Sequence, residues 1–362
     1  MADKECLRAP FRWFGGKGNM LSKLLPLIPA GGRPYCEPYA GAASVFWSRD
    51  PAPVEVLNDL DDRIVNLFRV LQDREQFEDL KHRIMWTPYA RAEFGRALDI
   101  LNTGSDDPVE RAWAFFVAMN QGFSGTASAI YNWGRVFVSS GGMSDTTNKW
   151  IMRQTMMDAW HWRLMRCQID NRDALEVIRY WDNPEAVFYL DPPYHHDTRK
   201  DKAAYAVEQD HDHHAALVET ILGCQGAVVL SGYDHPVYQP LVDAGWDVTR
   251  FETACYAAGR TRGSGLQGTG AAKAKVPRTE AVWRNPRAVE MTRGGMIGIS
   301  RRHSADRGEV QENWAGETKR DNALDQRGLL GASPSFLCQL GKRRKPEPGP
   351  QEADAEGQGF LF

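Results

Sequence analysis

The chain has 362 residues, 42% hydrophobic and 25% charged. That length fits two domains, or one large α/β domain with an insertion and a tail, and this much apolar material excludes disorder throughout. With 44 basic and 47 acidic residues the net charge is −3, which excludes a histone-like polycation.

The segment Met1–Arg12 mixes Asp3, Lys4, Glu5 and Arg8 and has no apolar h-region, so no secretory signal is expected there. No run approaches the ~20 apolar residues of a membrane span. Cys6, Cys36, Cys167, Cys224, Cys255 and Cys338 are scattered without C-x-x-C spacing, as in a cytoplasmic protein with reduced thiols and no structural zinc.

In chain order, Phe11-Arg12-Trp13-Phe14-Gly15-Gly16-Lys17 predicts a glycine turn leading into a helix from about Met20. Pro34 to Glu37 reads as a short strand ending in the loop Pro38 to Ser44. Val54 to Leu57 reads as a second strand, closed by Asn58-Asp59. Ile64, Leu67, Phe68 and Leu71 then recur at helical spacing. Strand, glycine loop, helix, strand and acidic residue predict an α/β fold with a doubly wound nucleotide-binding sheet.

Residues 73–166 read as a helix-rich, aromatic insertion, with Trp86, Trp113, Phe115, Phe116, Trp150 and Trp160, broken by polar glycine segments at 120–125 and 139–142. The α/β rhythm resumes with a possible strand from Arg166 to Ile169. Ala186 to Leu190 and Ala227 to Leu230 are short apolar runs that predict buried parallel strands. Trp246 to Phe251 and Ala281 to Trp283 supply further strands, with no direction assigned. Beyond Pro286 the composition turns to Gly, Ser, Glu, Gln and basic runs, which predicts a mostly disordered tail. The expected divisions are therefore 1–72, 73–166, 167–286 and 287–362.

Asp191-Pro192-Pro193-Tyr194 directly follows a predicted buried strand, at the carboxyl end where open α/β sheets bind ligands. An exocyclic amine on a base is a poor nucleophile because its lone pair is delocalised into the ring. A carboxylate accepting one N–H and a backbone carbonyl accepting the other draw that lone pair out of conjugation. Proline has no N–H and a fixed φ, so it holds the carbonyls of the turn. Tyr194 offers a π-face for an extruded base. Taken alone, the same four residues also describe an ordinary strand-ending turn.

With these segments in this order, the chain from Phe11 to about Pro286 resembles the Dam-like, D12-class DNA adenine N6-methyltransferases, which use S-adenosylmethionine. The segment Phe11 to Lys17 is similar to the family's F-x-W-x-G-G-K opening, and Glu37-Pro38-Tyr39-Ala40-Gly41 to its E-P-F-x-G loop. Asn58-Asp59, Asp191-Pro192-Pro193-Tyr194 and Arg278-Thr279-Glu280-Ala281-Val282-Trp283 match three further motifs. The resemblance implies a class I methyltransferase fold, a Rossmann-like mixed sheet with an inserted helical target-recognition domain. It implies catalysis by Asp191, Pro192, Pro193 and Tyr194, and cofactor contacts from Trp13, Lys17, Glu37, Gly41, Asp59 and Asp191. Lys17 is expected to pair with the methionyl carboxylate and Asp59 to bind ribose hydroxyls, the alternative for Asp59 being a helix N-cap. Asp173 is either a contact to the cofactor's adenine or part of a surface turn. One departure stands at Ala43, where the family usually has a second glycine; alanine there adds a methyl beside the expected cofactor.

The resemblance also implies double-stranded DNA as partner and restriction-modification, phage protection or regulation as setting, in a bacterial or phage-infected cell. Asn120, Gly122 and Phe123 match a family loop in the recognition block. Arg135, Lys149, Arg153 and Arg163 suit phosphates or guanine edges, or are ordinary surface charges. Arg260, Arg262, Lys273 and Lys275 sit in a glycine-rich basic loop suited to tracking phosphates. The terminal Gln358, Leu361 and Phe362 resemble the peptide by which bacterial DNA enzymes dock on the sliding clamp, although Gly359 replaces its usual Leu. His195-His196 and His211-Asp212-His213-His214 lack the H-E-x-x-H register and a Cys partner, and are read as solvated or capping residues with no metal. Cytosine N4 methylation and a non-catalytic cofactor-binding DNA-binding protein remain as alternatives to adenine N6 methylation.

Overall fold

Short apolar runs become the strands of one sheet in the computed structural model of the protein, which describes residues 7–13, 15–31, 33–122, 132–136, 139–140, 142–194, 211–254 and 277–293. These residues all belong to one compact unit, and residues 308–362 are not among them. The sheet contains β1 (Tyr35–Glu37), β2 (Glu55–Asn58), β5 (Gln168–Asp170), β6 (Val187–Leu190), β7 (Ala227–Tyr233), β8 (Asp247–Ala254) and β9 (Pro277–Arg284). β3 (Ser139–Ser140) and β4 (Met143–Ser144) form a separate small antiparallel pair.

The strand order is β5-β2-β1-β6-β7-β9-β8. β1, β2, β5, β6 and β7 pair in parallel, whereas β9 is antiparallel to both β7 and β8. From β1 the chain winds outward through β2 to β5, then crosses to β6 on the other side of β1. The β1–β6 boundary is therefore the switch point, where a crevice opens at the carboxyl ends.

Side-chain alternation gives the sheet two apolar faces. Tyr35, Leu57, Tyr189, Val229 and Val282 belong to one cluster, and Cys36, Val56, Phe188, Leu230 and Trp283 to the other. The second face is covered by α9 (Ala174–Trp181), α10 (His211–Leu222) and α11 (Gln239–Asp243), through Ile178, Leu217 and Leu241. The first is covered by α2 (Ser44–Ser48) and α3 (Asp62–Gln72), through Phe46, Ile64 and Phe68. Asp61 starts α3 by accepting the backbone N–H of Arg63, a standard N-cap contact. The helix expected from Met20 is only α1 (Leu21–Leu24), flanked by 3₁₀ turns at Lys17–Asn19 and Leu25–Leu27. Pro26 has no N–H with which to continue it.

Two expected divisions are corrected. The block 73–166 supplies α4 (Arg74–Met85), α5 (Arg91–Thr103), α6 (Pro108–Gln121), α7 (Asp145–Gln154) and α8 (Met157–Leu164). Their Phe77, Phe94, Phe115, Phe116, Trp150 and Trp160 are buried in the same cluster as Tyr35 and Tyr189, so these helices share the core of the sheet. The tail also begins later than residue 287, because a helix over 286–293 buries Ala288 and Met291 in that core. Asn285 starts it by accepting the N–H of Ala288.

Candidate active site at the carboxyl ends of β1 and β6

The face that is apolar in the body of the sheet turns polar at its carboxyl edge. With a period of two, Tyr35 leads to Glu37, Tyr189 to Asp191, and Val229 to Ser231 and Tyr233. On antiparallel β9, Val282 is preceded by Glu280, which pairs in register with Tyr233. Trp13, Lys17, Glu37, Gly41, Asp59 and Asp191 line one cleft along this edge, with Pro193 at its rim. Pro192 is buried beside it.

Asp191 is fixed through one oxygen. Lys17 Nζ lies 2.6 Å from Oδ1, and Ser231 Oγ donates to the same atom over 3.0 Å. Lys17 is only 4% exposed and also donates to the Gly15 carbonyl and the Tyr194 hydroxyl. An ammonium has three hydrogens, and these three acceptors use them all. The expectation that Lys17 pairs with a methionyl carboxylate is thereby corrected: its charge is spent on Asp191. Tyr194 is corrected as well. It is 6% exposed, its ring lies 4.3 Å from that of Tyr233, and Lys17 Nζ sits over it at 4.7 Å, so it presents no open stacking face. Its hydroxyl donates to Glu280, whose oxygens lie 2.9 and 3.1 Å away.

The β1–β2 side is built differently. Glu37 is buried and accepts the Tyr35 hydroxyl at 2.7 Å. Burial raises its carboxyl from 4.5 to about 8, more than that hydrogen bond lowers it. Asp59 accepts the backbone N–H of Gly41 at 2.8 Å and of Asp61 at 2.9 Å, and burial raises it to about 6. The N-cap of α3 is Asp61, so the capping alternative for Asp59 falls away. Gly41 has φ +50°, and a Cβ on it would meet Trp13 Cδ1 at 2.9 Å. The indole of Trp13 therefore rests on bare backbone, with its other contacts to Phe11 and Phe115.

Ala43 has φ +52°, the only positive φ on a non-glycine among the described residues. It is 2% exposed and belongs to the core cluster. Its departure from glycine thus acts through a left-handed backbone, which costs an L-residue about 1–2 kcal/mol, and places a methyl at a position that also lines the cleft. Asp173 is the N-cap of α9, accepting the N–H of Leu175 at 2.8 Å; its neighbour Ala174 lines the cleft.

The DNA-contact candidates divide. Asn120 is buried and donates to the carbonyls of Pro10 and Phe116, so its side chain points into the protein and not toward DNA. Gly122 is buried too, and its carbonyl accepts from Arg12 at 2.9 Å. Arg12, absent from the expectations, also donates to the Asn120 carbonyl and so ties the opening segment to the end of α6. Arg163 is drawn inward by an ion pair with the fully buried Glu55, and Arg153 donates to the Ala9 carbonyl. Lys149 pairs with Asp145, while Arg135 is exposed. Phe123, Arg260, Arg262, Lys273, Lys275, His195, His196, Gln358, Leu361 and Phe362 lie outside the described residues. His214, expected to be solvated or capping, is fully buried and bonds the Tyr238 hydroxyl through Nδ1; His213 bonds that of Tyr39. Among the described residues no group of three or more His, Cys, Asp or Glu is arranged to hold a metal, and no helix is long and apolar enough to cross a membrane.

A doubly wound sheet whose switch-point cleft holds the Asp59 carboxylate at the end of one strand and an Asp-Pro-Pro-Tyr turn at the end of another has the class I methyltransferase fold. The family model for the D12 class N6 adenine-specific DNA methyltransferases matches residues 13–234, and the chain belongs to that family. Its activity is methylation of adenine in DNA, which decides between the adenine and cytosine readings. No curated protein sequence matches the chain.

Proposed function

We propose that the protein is a site-specific DNA methyltransferase that moves a methyl group from S-adenosylmethionine to N6 of an adenine flipped out of duplex DNA. The cleft suits that cofactor. Gly41 lets the Trp13 indole lie on bare backbone as a wall of the cleft, Asp59 offers acceptors for ribose hydroxyls, and Glu37 lines the same cleft as a carboxyl able to face a cation. When bound, the cofactor supplies an electrophilic methyl on a sulfonium, a leaving group already activated without a metal.

Asp191 supplies the rest. Oδ1 is occupied by Lys17 and Ser231, while Oδ2 accepts no hydrogen bond from the described residues. Oδ2 accepts one N6–H and a carbonyl of the Asp-Pro-Pro-Tyr turn accepts the other, which directs the nitrogen lone pair at the methyl carbon. Methylation would leave N6 with one proton in excess, which the hydrogen bond to Asp191 or to water would carry away. Orientation in a cleft with fixed dipoles provides most of the acceleration. The single observation that carries this reading is Asp191 held by one oxygen in the cleft that Trp13, Gly41 and Asp59 also line.

Tritiated-methyl incorporation into DNA by Asp191→Ala tests it. Transfer is expected to fall by about 10³-fold, the scale of losing one preorganised polar contact at a reacting centre. Cofactor affinity should stay close to that of the parent. Parental transfer rates would refute the assignment. Sliding-clamp docking rests on the sequence of Gln358, Leu361 and Phe362 alone.

A further inference from the structure

Glu280 has no role in the chemistry described so far, yet it is a carboxylate only 7% exposed within a sheet. A buried carboxylate is costly unless its oxygens are satisfied, so its partners carry information. Tyr194 donates its one hydroxyl hydrogen there, across both oxygens of Glu280. With that hydrogen committed, the Tyr194 oxygen can only accept, and it accepts from Lys17. Lys17 in turn donates to Oδ1 of Asp191. The direction of every hydrogen bond along Glu280, Tyr194, Lys17 and Asp191 is thus set at the Glu280 end. Ser231, one strand away and 1% exposed, holds the same Asp191 oxygen from the side.

We propose that Glu280 is a positioning residue for methyl transfer. Through Tyr194 and Lys17 it locks Asp191 so that Oδ2 faces the substrate amine, and Ser231 completes the lock. The proposal rests on the reading that Asp191 accepts from adenine N6. Without an acceptor at position 280 the Tyr194 hydroxyl loses the partner that fixes its orientation, because the Lys17 ammonium has no lone pair to accept its hydrogen. The Tyr194 oxygen is then held less firmly against Lys17, and the Lys17–Asp191 pair is held less firmly in turn.

The test compares Glu280→Ala, Glu280→Gln, Tyr194→Phe and Glu280→Ala combined with Tyr194→Phe in the full chain, by single-turnover methyl transfer at saturating DNA and cofactor. Glu280→Ala is expected to slow transfer by about 10²-fold, the scale of misplacing a reacting group by about 1 Å. KM for DNA and Kd for the cofactor should move less than about threefold, which separates positioning from lost binding. Glu280→Gln should recover most of the rate, because its amide carbonyl still accepts from Tyr194. The double variant should be no slower than the slower single one, since both act through one chain. Parental rates in Glu280→Ala, no recovery in Glu280→Gln, or multiplied losses in the double variant would each overturn the proposal. Should Glu280→Ala fail to fold, the rates of Glu280→Gln and Tyr194→Phe decide it: near-parental for the first and about 10²-fold down for the second. An active Asp191→Ala would sink the underlying reading instead, whereas an inactive Asp191→Ala beside an active Glu280→Ala would sink only this proposal.

Discussion

The two sides of the cleft hold the same chemical group in opposite electrostatic settings. On the β1–β2 side Glu37 and Asp59 make no ion pair among the described residues, and burial raises them to about 8 and about 6. On the β6–β7–β9 side Asp191 lies against the ammonium of Lys17 and Glu280 against the hydroxyl of Tyr194. Each side pairs a buried glutamate with a half-buried aspartate, so it is the partner that differs. A carboxylate held by a buried cation has its geometry fixed in advance, which is what a group acting on a reacting amine needs. A buried carboxylate without a cation gains most when a positively charged or hydroxyl-bearing ligand arrives, which is what a binding group needs.

Removing the cation should erase that contrast and has the largest expected effect. Lys17→Met leaves the half-buried Asp191 without its counter-charge, and breaking a fully buried pair, the upper bound here, costs about 3–5 kcal/mol. A large fall in Tm is expected, with part of it restored by adding Asp191→Asn. A Tm close to the parent's would mean that Lys17 and Asp191 are not coupled in the folded protein.

On the other side, the raised carboxyl of Glu37 makes stability depend on pH. A folded value of about 8 against an ordinary 4.5 means that the folded state holds a proton the unfolded chain has released. The favourable contribution is complete below about 4.5 and is lost as pH rises toward 8. Denaturant titrations should show Glu37→Gln flattening that window by a few kcal/mol relative to the parent. Identical slopes for parent and variant would remove the raised carboxyl from the account.

The smallest effect is at Ala43. Ala43→Gly relieves the left-handed strain but adds freedom to the unfolded chain, leaving a net gain of about 0.5–1 kcal/mol. A Tm rise of about 1–3 °C is expected, with cofactor affinity unchanged or modestly tighter. A fall in Tm would show that the methyl packs better than the strain costs.

Much of this side-by-side arrangement was legible before any coordinates. The apolar runs at 186–190 and 227–230 and the Asp-Pro-Pro-Tyr turn placed Asp191 at a strand's carboxyl end, because strand length and turn chemistry are local properties. Ser231 and Glu280 escaped because their partnership depends on β9 lying antiparallel beside β7, a matter of sheet order. Period-two alternation did hold a signal, since Glu280 shares a face with Val282 and so points toward a core. The aromatic block misled for a related reason: helical spacing shows that a face is apolar but not what it packs against, and Phe77, Phe115 and Trp160 pack on the sheet's own core. Asn285-Pro286 followed by Ala288 and Met291 carried a readable helix start, an N-cap with proline at the first position. Lys17 stood out in the sequence and does line the cleft, but the choice of Asp191 as its partner needed three dimensions.

The division of labour across the cleft is tested most directly by a paired measurement on Asp59→Asn and Asp191→Asn, taking the cofactor Kd and the single-turnover rate at saturation for each. Asp59→Asn should weaken cofactor binding by about 10-fold or more, the value of a charge-assisted hydrogen bond, and leave the saturated rate near that of the parent. Asp191→Asn should do the reverse, with near-parental Kd and a rate lower by about 10²-fold or more. Both variants losing the same quantity would contradict the account.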